Sequence, residues 1–386
     1  MPTPEPALPV PQPDPRHATL WTLAVSAALL GLVALPRRPA PRAGGASPTG
    51  DADSARQESP SHEGADAHRV ARAEKHRGRT ADSPEQIPAV GWWDILKRAY
   101  RDVGENRLML VSAGVTFFVL LAIFPAIAAL VSVYGLIADV STINEQIEAL
   151  RGILPSGGLD IVAEQVKRVT EKGDTTLGLT AFTGIALSVW SANGGVKHVF
   201  DALNLVYNER ERRGFFRLNL VSLAFTAGAL LFVVLALVGI VAVPVAIQTL
   251  GLSAEGWWLA LLRWPALFVV VLGMLAVLYR YGPSRDAPRW RWVTPGGTLA
   301  AFLWLAGSLL FSWYVSNFGS YDKTYGSLGA AIGFMTWIWL STTIVLLGAQ
   351  INAETEHQTA QDTTVGAPKP LGERDAKMAD TVGAAA

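Results

Sequence analysis

The run LMLVSAGVTFFVLLAIFPAIAALVSVYGLIA occupies residues 108–138 without one charged side chain. At about 1.5 Å per residue, a helix of that length exceeds the roughly 30 Å of hydrocarbon in a bilayer. Its apolar residues are continuous rather than alternating, which suits a helix and excludes a strand of a membrane barrel. Pro125 lies near the middle, so a kink or tilt is expected there. Five more apolar stretches follow, at about 177–200, 218–247, 257–281, 293–318 and 327–353. The reading is an all-α polytopic membrane protein with a six-helix core.

Loop charges set the expected orientation. The 197–217 loop carries Lys197, Arg210, Arg212, Arg213 and Arg217, and the 280–292 loop carries Arg280, Arg285, Arg289 and Arg291. Between them, 248–256 has no basic residue and 319–326 has only Lys323. The positive-inside rule therefore places both ends of the core in the cytoplasm. The longer outer loop, 139–176, has four basic and seven acidic side chains. Ile143, Ile147, Leu150 and Leu154, then Leu159, Val162, Val166 and Val169, predict two short amphipathic helices separated by Pro155-Ser-Gly-Gly158.

Outside the core the chain changes character. Residues 1–17 are Pro-rich, and 18–36 hold an apolar run followed by Arg37, Arg38 and Arg42. Positive charges after the run, not before it, predict an extra N-terminal transmembrane helix rather than a cleaved signal. Residues 37–90 have few large apolar side chains and are expected to form a disordered cytoplasmic tether, as is the polar tail at 358–386. Within 91–107, Trp93, Leu96, Tyr100 and Val103 share one helical face with Lys97, Arg98 and Arg101 opposite, predicting a helix at the membrane surface.

Chemistry-bearing residues are sparse. Asn193, Lys197, Asp201, Asn204 and Asn208 recur at intervals of three and four, so they share one face at the end of the second span. Lys197 and Asp201 are placed to pair, and a polar cavity open to the cytoplasm is expected from this stripe together with Gln350, Asn352 and Glu354. The competing reading is a helix that turns polar as it leaves the membrane. Gly329, Gly333 and Gly348 are read as close-packing positions. Tyr314, Tyr321 and Tyr325 read as interfacial belt, and most tryptophans as anchors.

Exclusions are sharper. The chain has 386 residues, 32 Lys+Arg against 32 Asp+Glu, and no Cys. Balanced charge gives no basic groove for nucleic acid. No disulfide, thiolate metal site or Cys nucleophile can form. No HExxH, GxSxG or P-loop pattern occurs, and His198 and His357 stand alone beside the core, so no metal, no cofactor and no enzyme activity are expected.

Residues from about 91 to 357 resemble the YihY/BrkB family of bacterial inner-membrane proteins. The matching pieces are Ala113-Gly-Val-Thr-Phe-Phe118 with Ile123-Phe-Pro125, Leu187-Ser-Val-Trp-Ser191 with Ala202-Leu-Asn204, and Arg212-Arg213. Tyr279-Arg-Tyr-Gly-Pro283, Pro295-Gly296, Tyr325-Gly-Ser-Leu-Gly329 and Leu347 through Glu354 complete the order. Gln350 departs from the pattern, standing where the family more often has an acidic residue. The resemblance implies a six-helix inner-membrane fold with cytoplasmic core termini and a role in the envelope. Expected roles are solute export or exchange, or lipid movement, or a scaffold for envelope proteins. Expected partners are membrane lipids, a solute or phospholipid substrate and envelope proteins. The family's old description as a tRNA-processing ribonuclease is rejected for want of metal ligands and an RNA-binding surface.

Overall fold

Six long helices and a short one before them build a bundle with a polar cap at one end. The computed structural model describes residues 69, 71–134, 179–249, 257–318 and 327–385, all within the compact unit Glu58–Ala386. The expected N-terminal span at 18–36, the tether through residue 68, the amphipathic outer loop and the 319–326 hairpin lie outside these residues.

Helix α1 (Ala89–Glu105) follows Pro88, whose fixed φ suits a helix start. Arg107, at φ 49°, breaks the chain before α2 (Leu108–Tyr134). Then come α3 (Leu179–Val206), α4 (Phe215–Thr249), α5 (Trp257–Tyr281), α6 (Trp290–Phe318) and α7 (Ser327–Glu356). A last turn, α8 (Lys377–Asp380), lies in the tail. No strand forms among the described residues. Helices α2, α4, α5, α6 and α7 contain stretches long and apolar enough to cross a membrane. Helix α3 is present where a span was expected but is not among those five; Asn193, Lys197, His198 and Asp201 dilute its apolar content. Helix α2 runs through Pro125 as one element.

Neighbours pack as α2 on α3, α6 on α5 and α7, and α7 on α1 and α2. Arg98 meets Glu354, Asp102 meets Gln350, and Trp339 donates to the Met109 carbonyl. One set of numbers rises as the other falls, so α1 and α2 both run antiparallel along α7. This corrects the expected polar face of α1. Arg98 points inward and is 2% exposed, while Val90, Trp93, Leu96 and Tyr100 stay outside. The buried cluster includes Leu203, Tyr207, Tyr279, Val293, Ala300, Leu346, Ala349 and Ala353, and even Met378 of the tail joins it.

The tail corrects a second expectation. Residues 358–385 are ordered, although they bury few apolar side chains. Arg374 donates to the carbonyls of Ala360, Gln361, Lys369 and Ala379, and the chain wraps around it. Thr359 Oγ1 donates to Ala81 O at 2.7 Å, Gln358 Nε2 to Arg77 O at 2.8 Å, and Gly383 N–H to His357 O at 2.8 Å. The bonds to Ala81 and Arg77 also tie down the 71–88 part of the expected tether. Apolar composition missed both segments because hydrogen bonds to buried backbone, not hydrophobic area, hold them.

Close packing falls at one predicted glycine and spares another. A Cβ on Gly348 would sit 2.6 Å from Ala300 Cβ and from Tyr279 Oη, and 2.7 Å from Gly296 O. A Cβ on Gly296 would collide with the Gly348 carbonyl, so α6 and α7 cross backbone to backbone. Gly333, by contrast, faces open space. Alanine ordinarily favours a helix over glycine by about 1 kcal/mol. Gly348→Ala should nonetheless lower thermal stability in detergent, by about 1–3 kcal/mol from overpacking, while Gly333→Ala should leave it equal or higher. Equal effects at both sites would contradict the crossing.

Candidate functional site

The polar end of α7 is buried on every side. Gln350, Asn352, Glu354 and Glu356 follow at intervals of two, about 200° apart on a helix. They therefore make two opposite faces, each with residues one turn apart. Gln350 and Glu354 face α1, where Arg98 Nε reaches Glu354 Oε2 at 2.5 Å and Gln350 Nε2 reaches Asp102 Oδ2 at 3.3 Å. Arg98 also donates to Gln358 Oε1 at 2.7 Å and to the Ala384 carbonyl at 3.0 Å. His357 Nδ1 lies 3.6 Å from Glu354 Oε2.

Asn352 and Glu356 face the other way. Asn352 Oδ1 accepts from Gly296 N–H at 2.7 Å and its Nδ2 donates to Val293 O at 3.0 Å, bracing α6 on either side of Pro295. Glu356 takes a two-pronged bond from Arg285, 2.8 Å at each oxygen, and both side chains are 0% exposed. Thr363 Oγ1 adds a third donor at 3.0 Å, and the guanidinium of Arg285 lies 4.0 Å from the centre of the Tyr207 ring. Ion, fork and aromatic face together supply what desolvation removes.

The α3 stripe divides. Asn193 is buried and takes a 3.3 Å bond from Thr226 of α4; Lys197 Nζ donates to Asn219 Oδ1 at 2.6 Å. The expected Lys197–Asp201 pair does not form. Asp201 is 62% exposed at its side chain, 3.7 Å from His198 Nδ1. Lysine before acid is the weaker order of an i,i+4 pair, which lets each charge turn elsewhere. Asn204 turns inward as a staple: its Oδ1 accepts from Ser284 N–H at 2.7 Å and its Nδ2 donates to Glu211 at 3.1 Å. Asn208 leaves the stripe altogether, capping α3 in the left-handed conformation at φ 58°.

The predicted set thus does not line one wet chamber among the described residues. Gln350, Asn352, Glu354 and Asn204 are at most 4% exposed and bonded to protein, while Asp201 faces out. An open apolar groove of about 290 Å³ lies between α2 and α7, lined by Ala113, Thr116, Ile332, Met335, Thr336 and Trp339. No group of three or more metal-ligating side chains gathers among the described residues.

Sequence reasoning read Arg98 as a membrane-surface charge and Arg285 as a loop charge, and passed over Tyr207 and Glu356. One signal was legible: polar residues spaced by two at the end of an apolar helix need partners all round. Which loop arginine would supply them was not.

Electrostatics at the α1–α7 seam are uneven. Burial first, and the neighbouring Glu354 second, push the Asp102 carboxyl up to about 6. Elsewhere the Glu211 carboxyl is held at about 2, because Arg213 and Asn204 outweigh the opposing effect of burial. A raised carboxyl costs the fold nothing while both states are protonated. Its penalty grows as pH climbs from about 4 to about 6 and is complete above that. Asp102→Asn should therefore gain thermal stability over the parent at pH 7.5, with the gain shrinking between pH 6 and 4; a gain independent of pH would contradict the seam. Glu356→Ala, which strands Arg285, should cost about 3–5 kcal/mol in denaturant titration, and Arg285→Met with Glu356→Leu together far less. Additive losses in the double variant would show that the two do not act as a pair.

Comparison with known proteins agrees with this architecture. The family model described as Virulence factor BrkB matches residues 99–371. A ribonuclease-like protein, YfkH, of Bacillus subtilis is 30% identical over 252 residues, covering 63% of this chain and 88% of the relative. A UPF0761 membrane protein of Neisseria meningitidis serogroup B is 28% identical over 278 residues, 69% of this chain and 63% of that protein. The chain thus spans less than two thirds of the meningococcal relative's length. Another UPF0761 membrane protein, from Azotobacter vinelandii, is 29% identical over 273 residues, 67% of this chain and 62% of that protein. No solved structure matches. With 99–371 covered and five described helices fit to cross a membrane, the chain belongs to the BrkB family of multi-pass membrane proteins.

Proposed function

We propose that this protein assists lipid movement in the bacterial inner membrane, with its basic loops and polar cap on the cytoplasmic side. The observation that carries the reading is the orientation of α3. Its inward polar residues turn into the protein, Asn193 Oδ1 to Thr226 and Asn204 to Ser284 and Glu211, whereas Asp201 and His198 lie on the outward side with exposed Leu187, Trp190 and Leu205. Charge on a surface flanked by exposed apolar side chains suits a lipid headgroup better than a solute crossing the bundle interior. The groove between α2 and α7 offers an apolar track of acyl-chain character on the same bundle. The protein is read as non-enzymatic, and the ribonuclease-like wording of the Bacillus relative's name is not carried to this chain.

A scaffold reading has one observation in its favour. Val90, Trp93, Leu96 and Tyr100 form an exposed stripe on α1, with Lys97 packed over the Trp93 ring at 5.5 Å. Such a stripe suits an envelope protein or the membrane surface itself.

Purified full-length protein in liposomes carrying a fluorescent phospholipid should speed the transfer of label between leaflets. Lys197→Ala with Asp201→Ala should reduce that rate by about tenfold, equivalent to about 1.4 kcal/mol, with folding unchanged. Transfer no faster than in empty liposomes would overturn the reading, and cleavage of a tRNA precursor by the same preparation would restore the enzyme.

A further inference from the structure

The face of α3 is set by burial. Residues 193, 200, 203, 204 and 207 are at most 4% exposed, while Leu187 is 70%, Trp190 50% and Leu205 42% exposed. Lys197, His198 and Asp201 lie along the boundary and the outward side. Helix α3 has 28 residues, about 42 Å, so roughly 12 Å extends past a hydrocarbon core of about 30 Å. Asp201 stands five residues before the helix end at Val206, followed by Arg210, Arg212 and Arg213. With α3 set across the bilayer as the proposed function places it, this stretch comes to headgroup depth on the side of the basic loop.

Lys197 is held away from Asp201, which lies 3.7 Å from His198 Nδ1. Lys197 Nζ spends one N–H on Asn219 and lies 5.4 Å from the centre of the Trp190 ring. An ammonium has three donors, and no carboxylate comes within ion-pair distance of Lys197 among the described residues. His198 is stacked on Phe118 of α2, ring centres 3.5 Å apart and planes 18° from parallel, which fixes its ring beside Asp201. Phe117 and Phe118 are themselves exposed, at 52% and 40%, on the lipid side of α2. A cation and an anion thus stand four residues apart, about 6 Å along the axis, each lacking the other as partner, in an apolar surround.

We infer that this patch binds the headgroup of a zwitterionic amine phospholipid, with Lys197 receiving the phosphate and Asp201 the primary ammonium. The two charges of such a headgroup are joined by a two-carbon bridge, so they can address residues one helical turn apart. A choline headgroup carries no N–H to donate to Asp201. A glycerol headgroup satisfies Lys197 and leaves Asp201 facing a net negative lipid. Trp190 and Phe118 flank the site as apolar walls for the upper acyl segments. The assignment deepens the lipid-handling reading and rests on its placement of this face in the bilayer.

The test is binding, not movement. Delipidated full-length protein in detergent is titrated with phosphatidylethanolamine, phosphatidylcholine and phosphatidylglycerol of identical acyl chains, followed by native mass spectrometry and thermal stability. The parent should prefer the ethanolamine lipid by about fivefold, equivalent to about 1 kcal/mol. Asp201→Asn should erase that preference and improve glycerol-lipid binding, Asp201→Glu should keep it, and Lys197→Gln should weaken all three lipids. No preference in the parent, or a preference that survives Asp201→Asn, overturns the site. So do disulfide-linked dimers of Asp201→Cys in native membranes, which would show a second copy covering this face. A protein that binds selectively but moves no lipid keeps this site and loses the proposed function. One that moves lipid without headgroup preference does the reverse.

Discussion

Two carboxylates and two amides crowd the last turns of α7, and a helix end so polar cannot be buried unless partners arrive from every direction. Arg98 comes from the helix before the first span, Arg285 from the loop between α5 and α6, and Val293 and Gly296 from the start of α6. Each reaches across scores of residues in sequence. The cost of leaving any one of these groups unpaired in a buried site exceeds the worth of most single contacts. Assembly of this end is therefore close to all-or-none. The tail then closes over it, with Thr363 on Glu356 and Gly383 on His357.

The same arrangement explains where the bundle is tight. Gly296 and Gly348 allow α6 and α7 to touch, which brings Asn352 to the Pro295 turn and Glu356 to Arg285. Away from this end the helices expose wide apolar surfaces, as membrane helices must: only 11% of the α5 and α6 spans and 28% of the α7 span is buried within the protein. The buried polar contacts are thus concentrated at the capped end.

Much of the fold was legible from residues alone. Six apolar runs predicted six long helices within a few residues, because hydrophobic length is a strong signal. Gly348 was legible as a packing position, since small residues in membrane helices permit close approach. Less of the site could be read. Periodicity put Asn193 through Asn204 on one face but could not tell which neighbour met each residue, so Asn204 was grouped with Asp201 although one is buried and the other exposed. The spacing of Lys197 and Asp201 suggested a pair that helix order disfavours. Composition made residues 358–385 look disordered, since an arginine folded among carbonyls, as Arg374 is, leaves no apolar trace.

These observations shift attention from a central passage to surfaces and seams. The buried polar residues that would line a passage each bond a neighbouring element instead, and Asp201 looks outward on α3. Hydrogen–deuterium exchange of the full-length protein in lipid nanodiscs tests the central claim most directly. Amides of 350–360 and 374–384 should be protected together, exchanging over minutes or longer, and both should open in concert when Glu356 is replaced by alanine. Exchange of the 358–385 tail at the rate of an unstructured peptide, with α7 still protected, would contradict the buried polar cap.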